Sequence, residues 1–220
     1  MIEYSTASQT GRLHRENQDR VVADAVRGIF LVVDGIGGLA DAAATAKLVA
    51  AELRDLVHVH VPMLAEPGVA DVVTGLVAEL NERVRAAARS GPDTTGAAFA
   101  LLVIRDGLAL AVHLGDSRIY RARRGRFARL TEDHVLDGRL TRFVGMPGEV
   151  VPGISLHVLE PGDRFLLCTD GLVANVDEGL LGDALSTWTE VDVVCEGLVG
   201  HAGEAVDDVS AVTLQYGGQP

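Results

Sequence analysis

Four segments of this sequence place an aspartate where an apolar run meets glycine or a second polar residue. The clearest is Phe30-Leu31-Val32-Val33-Asp34-Gly35-Ile36-Gly37-Gly38. A β-branched, apolar run that stops at a carboxylate describes a buried strand delivering one acid at its end. The glycines that follow have no Cβ, so backbone carbonyls and amides there can approach an ion or a phosphate closely. Gly115-Asp116-Ser117-Arg118, Leu167-Cys168-Thr169-Asp170-Gly171 and Asp207-Asp208-Val209-Ser210 repeat the theme. One Asp-Gly alone reads equally well as a tight turn with a wet carboxylate. Asp34, Asp116, Asp170 and Asp207 together point to carboxylates converging from different strands.

Carboxylates held together repel and raise one another's pKa unless hard cations neutralise them. No histidine or cysteine set stands at ligand spacing beside them, so an oxygen-only site points to Mg²⁺ or Mn²⁺. Two such ions bridged by one carboxylate, roughly 3.5 to 4 Å apart, generate a hydroxide near neutral pH and hold phosphoryl oxygens for in-line attack. The chemistry this implies is hydrolysis of a phosphate ester. The polar stretch Arg12-Leu13-His14-Arg15-Glu16-Asn17-Gln18-Asp19-Arg20 fits either a solvated loop or an anion grip beside a metal-ordering acid, Asp19.

These residues need a scaffold, and 220 residues with 48% hydrophobic content suffice for one substantial core, hence one domain over 1–220. A net charge of -12 argues against nucleic acid as a partner. The first ten residues lack a basic region followed by an apolar block, and no apolar run has the length of a membrane span. With two cysteines and no disulfide framework, a soluble cytoplasmic protein without a membrane partner is expected. Strands are expected at residues 2–8, 21–23, 94–104, 108–114, 119–122 and 127–130. Helices are expected at 39–61, 70–88, 172–188 and 191–202, with Leu180, Leu181, Leu185, Val194, Leu198 and Val199 in the core. His58 and His60 suit a helix C-terminus, His113, His157 and His201 read as structural or surface residues, and Trp188 reads as an anchor. For His134, support of the site and simple solvation both stand.

In this order and at these spacings, the segments resemble the metal-dependent protein serine/threonine phosphatases of the type 2C family, in their bacterial form. The resemblance spans nearly the whole chain. It rests on the Gly/Arg/Asn/Asp block at 11–19, the Asp-Gly motif at 32–38, Thr94-Thr95, and 115–120 with Leu130-Thr131-Glu132-Asp133-His134. The Thr-Asp-Gly motif at 167–172 and the closing segment at 207–213 complete it. It implies an α+β fold, a four-layer α-β-β-α sandwich of two antiparallel sheets flanked by helix pairs. It implies that Asp34 bridges two Mn²⁺ or Mg²⁺ ions, that the Gly35 carbonyl ligates one, and that Asp170 and Asp207 hold the other. Asp116, with Asp170, matches a more weakly held third position, and Asp19 would order the attacking water. The substrate would be a protein phosphorylated by a serine/threonine kinase, in a signalling setting, with a bridging hydroxide as nucleophile and no phosphoenzyme. Cys168 is then a strand-core residue.

Three departures from the family pattern matter. His14 stands where the family has an arginine gripping the substrate phosphate, and an imidazole does not replace a permanently charged fork. Phosphate binding is therefore expected to be weaker, and to improve at mildly acidic pH unless Arg12 or Arg15 supplies the charge. Ile36 occupies a position where some eukaryotic relatives carry a histidine, leaving water to protonate the leaving oxygen. The mobile flap is shortened to about 135–151, which predicts an open site, looser discrimination and activity on small aryl phosphates. A pseudophosphatase binding module is the main rival reading, although such a module would typically have lost one of Asp34, Asp170 and Asp207. A different metal-dependent phosphoesterase is the second.

Overall fold

The computed structural model describes residues 1–37, 39–87, 95–187 and 190–217. Thr94 and Trp188, singled out above, lie outside them. In chain order the elements are β1 (Ile2–Gln9), β2 (Asp19–Asp24), β3 (Ile29–Ile36), α1 (Leu39–His60), α2 (Val69–Ala87), β4 (Gly96–Arg105), β5 (Leu108–Leu114), β6 (Arg118–Arg123) and β7 (Arg126–Arg129). There follow β8 (Val135–Leu136), β9 (Arg139–Leu140), β10 (Gly153–Val158), β11 (Asp163–Cys168), α3 (Asp170–Val173), α4 (Glu178–Thr187), α5 (Val191–His201) and β12 (Val209–Tyr216).

Two five-stranded sheets form, in the orders β1-β12-β11-β6-β7 and β10-β5-β4-β3-β2, with β8-β9 as a separate hairpin. All pairings are antiparallel. Because side chains alternate along a strand, β3 sends Phe30 and Val32 to one face and Leu31 and Val33 to the other. Phe30 and Val32 join Leu102, Phe165, Leu167 and Val212 between the sheets. Leu31 and Val33 join Leu53 and Leu80 of α1 and α2. On the far side, Tyr120 and Leu166 pack with Leu181, Leu185 and Leu198 of α4 and α5. The result is the α-β-β-α order of layers. It explains why β3 is apolar from Ile29 to Val33: both of its faces are covered there.

Two expected elements differ. The helix expected over 172–188 is broken: α3 ends at Val173, and Asp177 Oδ1 accepts from Leu180 N at 3.0 Å to start α4 afresh. The stretch 153–158, for which no element is expected above, is β10, paired along its length with β5. It is an edge strand with Leu156 and Val158 46% and 69% exposed, so its apolar alternation does not mark a buried face. Between Leu130 and Gly153 there is no helix, only the β8-β9 hairpin.

The far end of that segment is anchored from α2. Asn81, 1% exposed, accepts from Gly145 N at 2.6 Å and donates to Met146 O at 3.1 Å, beside the bridge between Val144 and Ala97 of β4. Asn81→Leu keeps the volume but strands the buried Gly145 N–H and the half-buried Met146 carbonyl. Urea unfolding should show a loss of about 1–3 kcal/mol.

Candidate metal centre

Five strand or loop ends bring acids to one rim of the sandwich. Asp34 lies near the end of β3, and Asp19, at the start of β2, is its direct cross-strand partner. Asp116 sits in the turn between β5 and β6, Asp170 opens α3 just after β11, and Asp207 precedes β12. Carboxylate oxygens of Asp34, Asp116 and Asp170 lie within 4.8 Å of one another. A neighbouring group holds His14, Asp207 and Asp208, with ligand atoms again within 4.8 Å. Asp207 therefore sits in the second group, yet its charge is among those acting on Asp34.

The backbone permits this convergence only at glycine. A Cβ on Gly35 would stand 2.3 Å from Ala42 O and 3.0 Å from Gln18 O. Gly115 has φ +107°, and a Cβ there would stand 2.4 Å from that of Ala98, the residue paired with Asp34 across β3 and β4. The Asp116 turn is thus pressed against the strand beside Asp34.

Burial, followed by the charges of Asp19, Asp170, Asp207 and Asp116, holds Asp34 well above the usual carboxylate range. Asp170 is pushed up to about 7 by burial and then by Asp116, Asp207 and Asp19. Asp116 is raised chiefly by burial, and its buried Oδ1 has no hydrogen-bond partner among the described residues. An all-oxygen cluster with an orphaned acceptor fits a hard divalent cation, which would supply the missing positive charge.

Asp19, raised to about 7 mainly by burial, belongs to neither group. Its Oδ2 accepts from Thr169 Oγ1 at 2.9 Å, and the same Thr169 Oγ1 accepts from Ser210 N at 3.0 Å. Asp208, 2% exposed, accepts from Gly11 N at 2.7 Å, Gln18 N at 2.6 Å and His14 Nδ1 at 2.9 Å. It fastens the whole opening loop. His14 lies 3.6 Å from Asp207 as well. Burial alone would lower the His14 pKa, but the Asp208 hydrogen bond and the charges of Asp208, Asp207 and Asp19 raise it overall. Arg12 and Arg15 are exposed.

A family model described as Protein phosphatase 2C matches residues 10–205. The chain belongs to the protein phosphatase 2C family. It is 31% identical over 212 residues to the serine/threonine protein phosphatase PstP of Mycobacterium tuberculosis, an alignment covering 84% of this chain and 39% of PstP. Among solved structures, PppA of Pseudomonas aeruginosa superposes with a TM-score of 0.85 at 27% identity, over 97% of both chains. The catalytic domain of PstP, in complex with two manganese ions, gives a TM-score of 0.78 at 26% identity, again over 97% of both chains.

Two sets of contacts around the acidic cluster of this protein phosphatase 2C chain go beyond what the sequence assigned. Asp208 is one: it was quoted only as the neighbour of Asp207, and the sign available was a second acid beside a strand start. The other is the segment 132–134, which grips the Asp116 turn. His134 N donates to Gly115 O at 2.9 Å, and His134 Nδ1 accepts from Gly115 N at 3.1 Å. Its ring stacks on His113 with centroids 4.7 Å apart, and His113 Nε2 meets Glu132 O at 2.8 Å. Arg118 holds Asp133 at 2.7 Å. Of the two readings of His134, simple solvation is the one that these contacts do not fit.

Burial first, then His113 and Arg142, lowers the His134 pKa to about 4, against the weaker opposing pull of Asp133. The unfolded chain, with an ordinary histidine near pH 6.5, binds the proton more readily. The contribution of neutral His134 is therefore complete above about pH 6.5 and is lost as pH falls towards 4. In His134→Asn the side-chain oxygen can stand in for Nδ1 without titrating. Thermal unfolding between pH 7 and pH 4.5 should show a smaller drop in midpoint for the variant than for the parent.

Proposed function

We propose that this chain is a single phosphatase domain over 1–220 that removes phosphate from phosphoserine and phosphothreonine in cytoplasmic proteins, reversing a serine/threonine kinase in a signalling pathway. The observation that carries the reading is the meeting of Asp34, Asp116 and Asp170 within 4.8 Å, with Asp207 alongside. The described helices include none long and apolar enough to cross a membrane. Both cysteines are free and buried, which supports a reducing compartment.

In this reading Asp34 and the Gly35 carbonyl, with Asp170 and Asp207, would hold two Mn²⁺ or Mg²⁺ ions, and Asp116 with Asp170 would offer a third, weaker position. Such ions would supply a hydroxide near neutral pH and neutralise the phosphoryl oxygens. Asp19, fixed by Thr169 and partnered with Asp34 across β2 and β3, orients the attacking water. His14 has its Nδ1 committed to Asp208, which leaves Nε2 to donate to a phosphate oxygen when the ring is charged. Cys168, fully buried with its thiol pKa raised by that burial, has no nucleophilic part. The pseudophosphatase alternative draws on this same His14, because a ring tied to Asp208 grips phosphate less firmly than a free guanidinium.

Phosphate release from a phosphothreonine peptide should require Mn²⁺ or Mg²⁺ and stop on chelation. It should vanish in Asp34→Ala and fall by at least about 100-fold in Asp170→Asn. Release that ignored both chelation and the Asp170 change would sink the mechanism. His14→Arg should lower the Michaelis constant for the same peptide by about tenfold, with a smaller change in kcat. An unchanged constant would remove His14 from the substrate contact.

A further inference from the structure

The hairpin of β6 and β7 reads Arg118-Ile119-Tyr120-Arg121-Ala122-Arg123-Arg124-Gly125-Arg126-Phe127-Ala128-Arg129, a dense basic run in a chain of net charge -12. Register places Arg121 opposite Ala128 and Arg123 opposite Arg126, so these side chains share one face of the sheet. Ile119, two residues before Arg121 on that face, packs in the core between the sheets. The arginines continue the same face beyond the edge of that core. Arg121, Arg123, Arg124 and Arg126, with Phe127 and Glu160, line a surface cavity of about 690 Å³.

The arginines divide into two kinds. Arg123 is structural: it donates to Asp163 at 2.6 Å from both Nε and Nη2, to Glu160 at 3.1 Å and to Val158 O at 2.7 Å, tying β6 to the ends of β10 and β11. Arg124 meets Glu160 at 2.6 Å. The side chains of Arg121 and Arg126 make no ion pair or hydrogen bond among the described residues. Like charges set directly opposite on neighbouring strands destabilise a sheet, as Arg123 and Arg126 are. Charged side chains on β7 could serve only to keep an edge strand from pairing, but Arg121 stands on β6, inside the sheet.

We propose that this cavity is a docking subsite for an anionic segment of the protein substrate, seated away from the metal centre. This rests on the phosphatase reading above. Two guanidinium forks without side-chain partners match carboxylate or phosphate oxygens. A short segment feels mainly the local cluster, because screening cuts in within about 8 Å at physiological salt. A nucleic acid or an anionic bilayer would extend beyond it and meet the acidic remainder of the surface. Reach is adequate as well: β6 leaves directly from the Asp116 turn, so Arg121 is at most about 18 Å from Asp116. A polypeptide with its phosphoresidue at the metals can place an anionic group there roughly eight residues away.

The test uses the full chain with Mn²⁺ and the variant carrying Arg121→Gln and Arg126→Gln, which leaves Arg123 in place. Substrates are p-nitrophenyl phosphate, a neutral phosphothreonine peptide, and that peptide with either a glutamate cluster or a phosphoserine about eight residues away. The parent should show a Michaelis constant about tenfold lower for one or both anionic peptides than for the neutral one. The variant should lose that advantage and keep its rates on the first two substrates. Which anionic peptide gains tells carboxylate from phosphate recognition. Fluorescence anisotropy with the glutamate peptide lacking phosphothreonine separates docking from catalysis. Binding by the parent that the variant loses supports the subsite even where no substrate is turned over. Equal constants for neutral and anionic peptides, binding that survives in the variant, or displacement of the peptide by oligonucleotide or phosphatidylserine vesicles at lower concentration than by excess glutamate peptide would overturn it.

Discussion

Like charges drawn into a poorly solvated interior repel, and the seam of this sandwich collects Asp19, Asp34, Asp116 and Asp170 together. Each has its pKa raised, and in each the largest cause is burial. Holding such a group needs a scaffold that does not relax by moving its strands apart. The surroundings fit that demand. Asp34 and Asp19 stand on paired strands of one sheet, while Asp170 and Asp207 come from the ends of strands in the other. Thr169 and Ser210 stitch Asp19 across the seam.

The same constraint explains where the chain spends its buried polar contacts. The opening loop has little apolar material with which to hold itself, and one carboxylate, that of Asp208, gathers two of its backbone N–H groups and the His14 ring. A buried acid with three donors is well satisfied, so it can sit beside the crowded acids without adding an orphaned charge to them. Arg118 and Asp133 do a comparable job on the other flank, where the 132–134 segment closes over the Asp116 turn.

Much of this was legible from residue order because buried strands advertise themselves. β3, β4 and β11 are apolar on both faces, so their limits and the acids at their ends stand out. β10 was not legible, since one face of an edge strand looks to solvent and its alternation resembles a loop with scattered apolar residues. The break between α3 and α4 was hidden by leucines that keep helical spacing across Asp177, whose capping bond appears only in three dimensions. Asp208 and His134 were underread for a related reason. Their partners Gly11, Gln18 and Gly115 are brought to them by the fold, and neither residue type signals a backbone anchor in isolation.

The two hydrogen bonds between His134 and Gly115 also join two parts of the molecule mechanically. Thr141 N donates to His134 O at 2.8 Å, so the residue that clamps the Asp116 turn is also the root of the β8-β9 hairpin. The hairpin is short and its strands are largely exposed. It is a lever whose fulcrum lies one residue from a carboxylate of the cluster. A displacement of its tip would reach Asp116 through only His134 and Gly115.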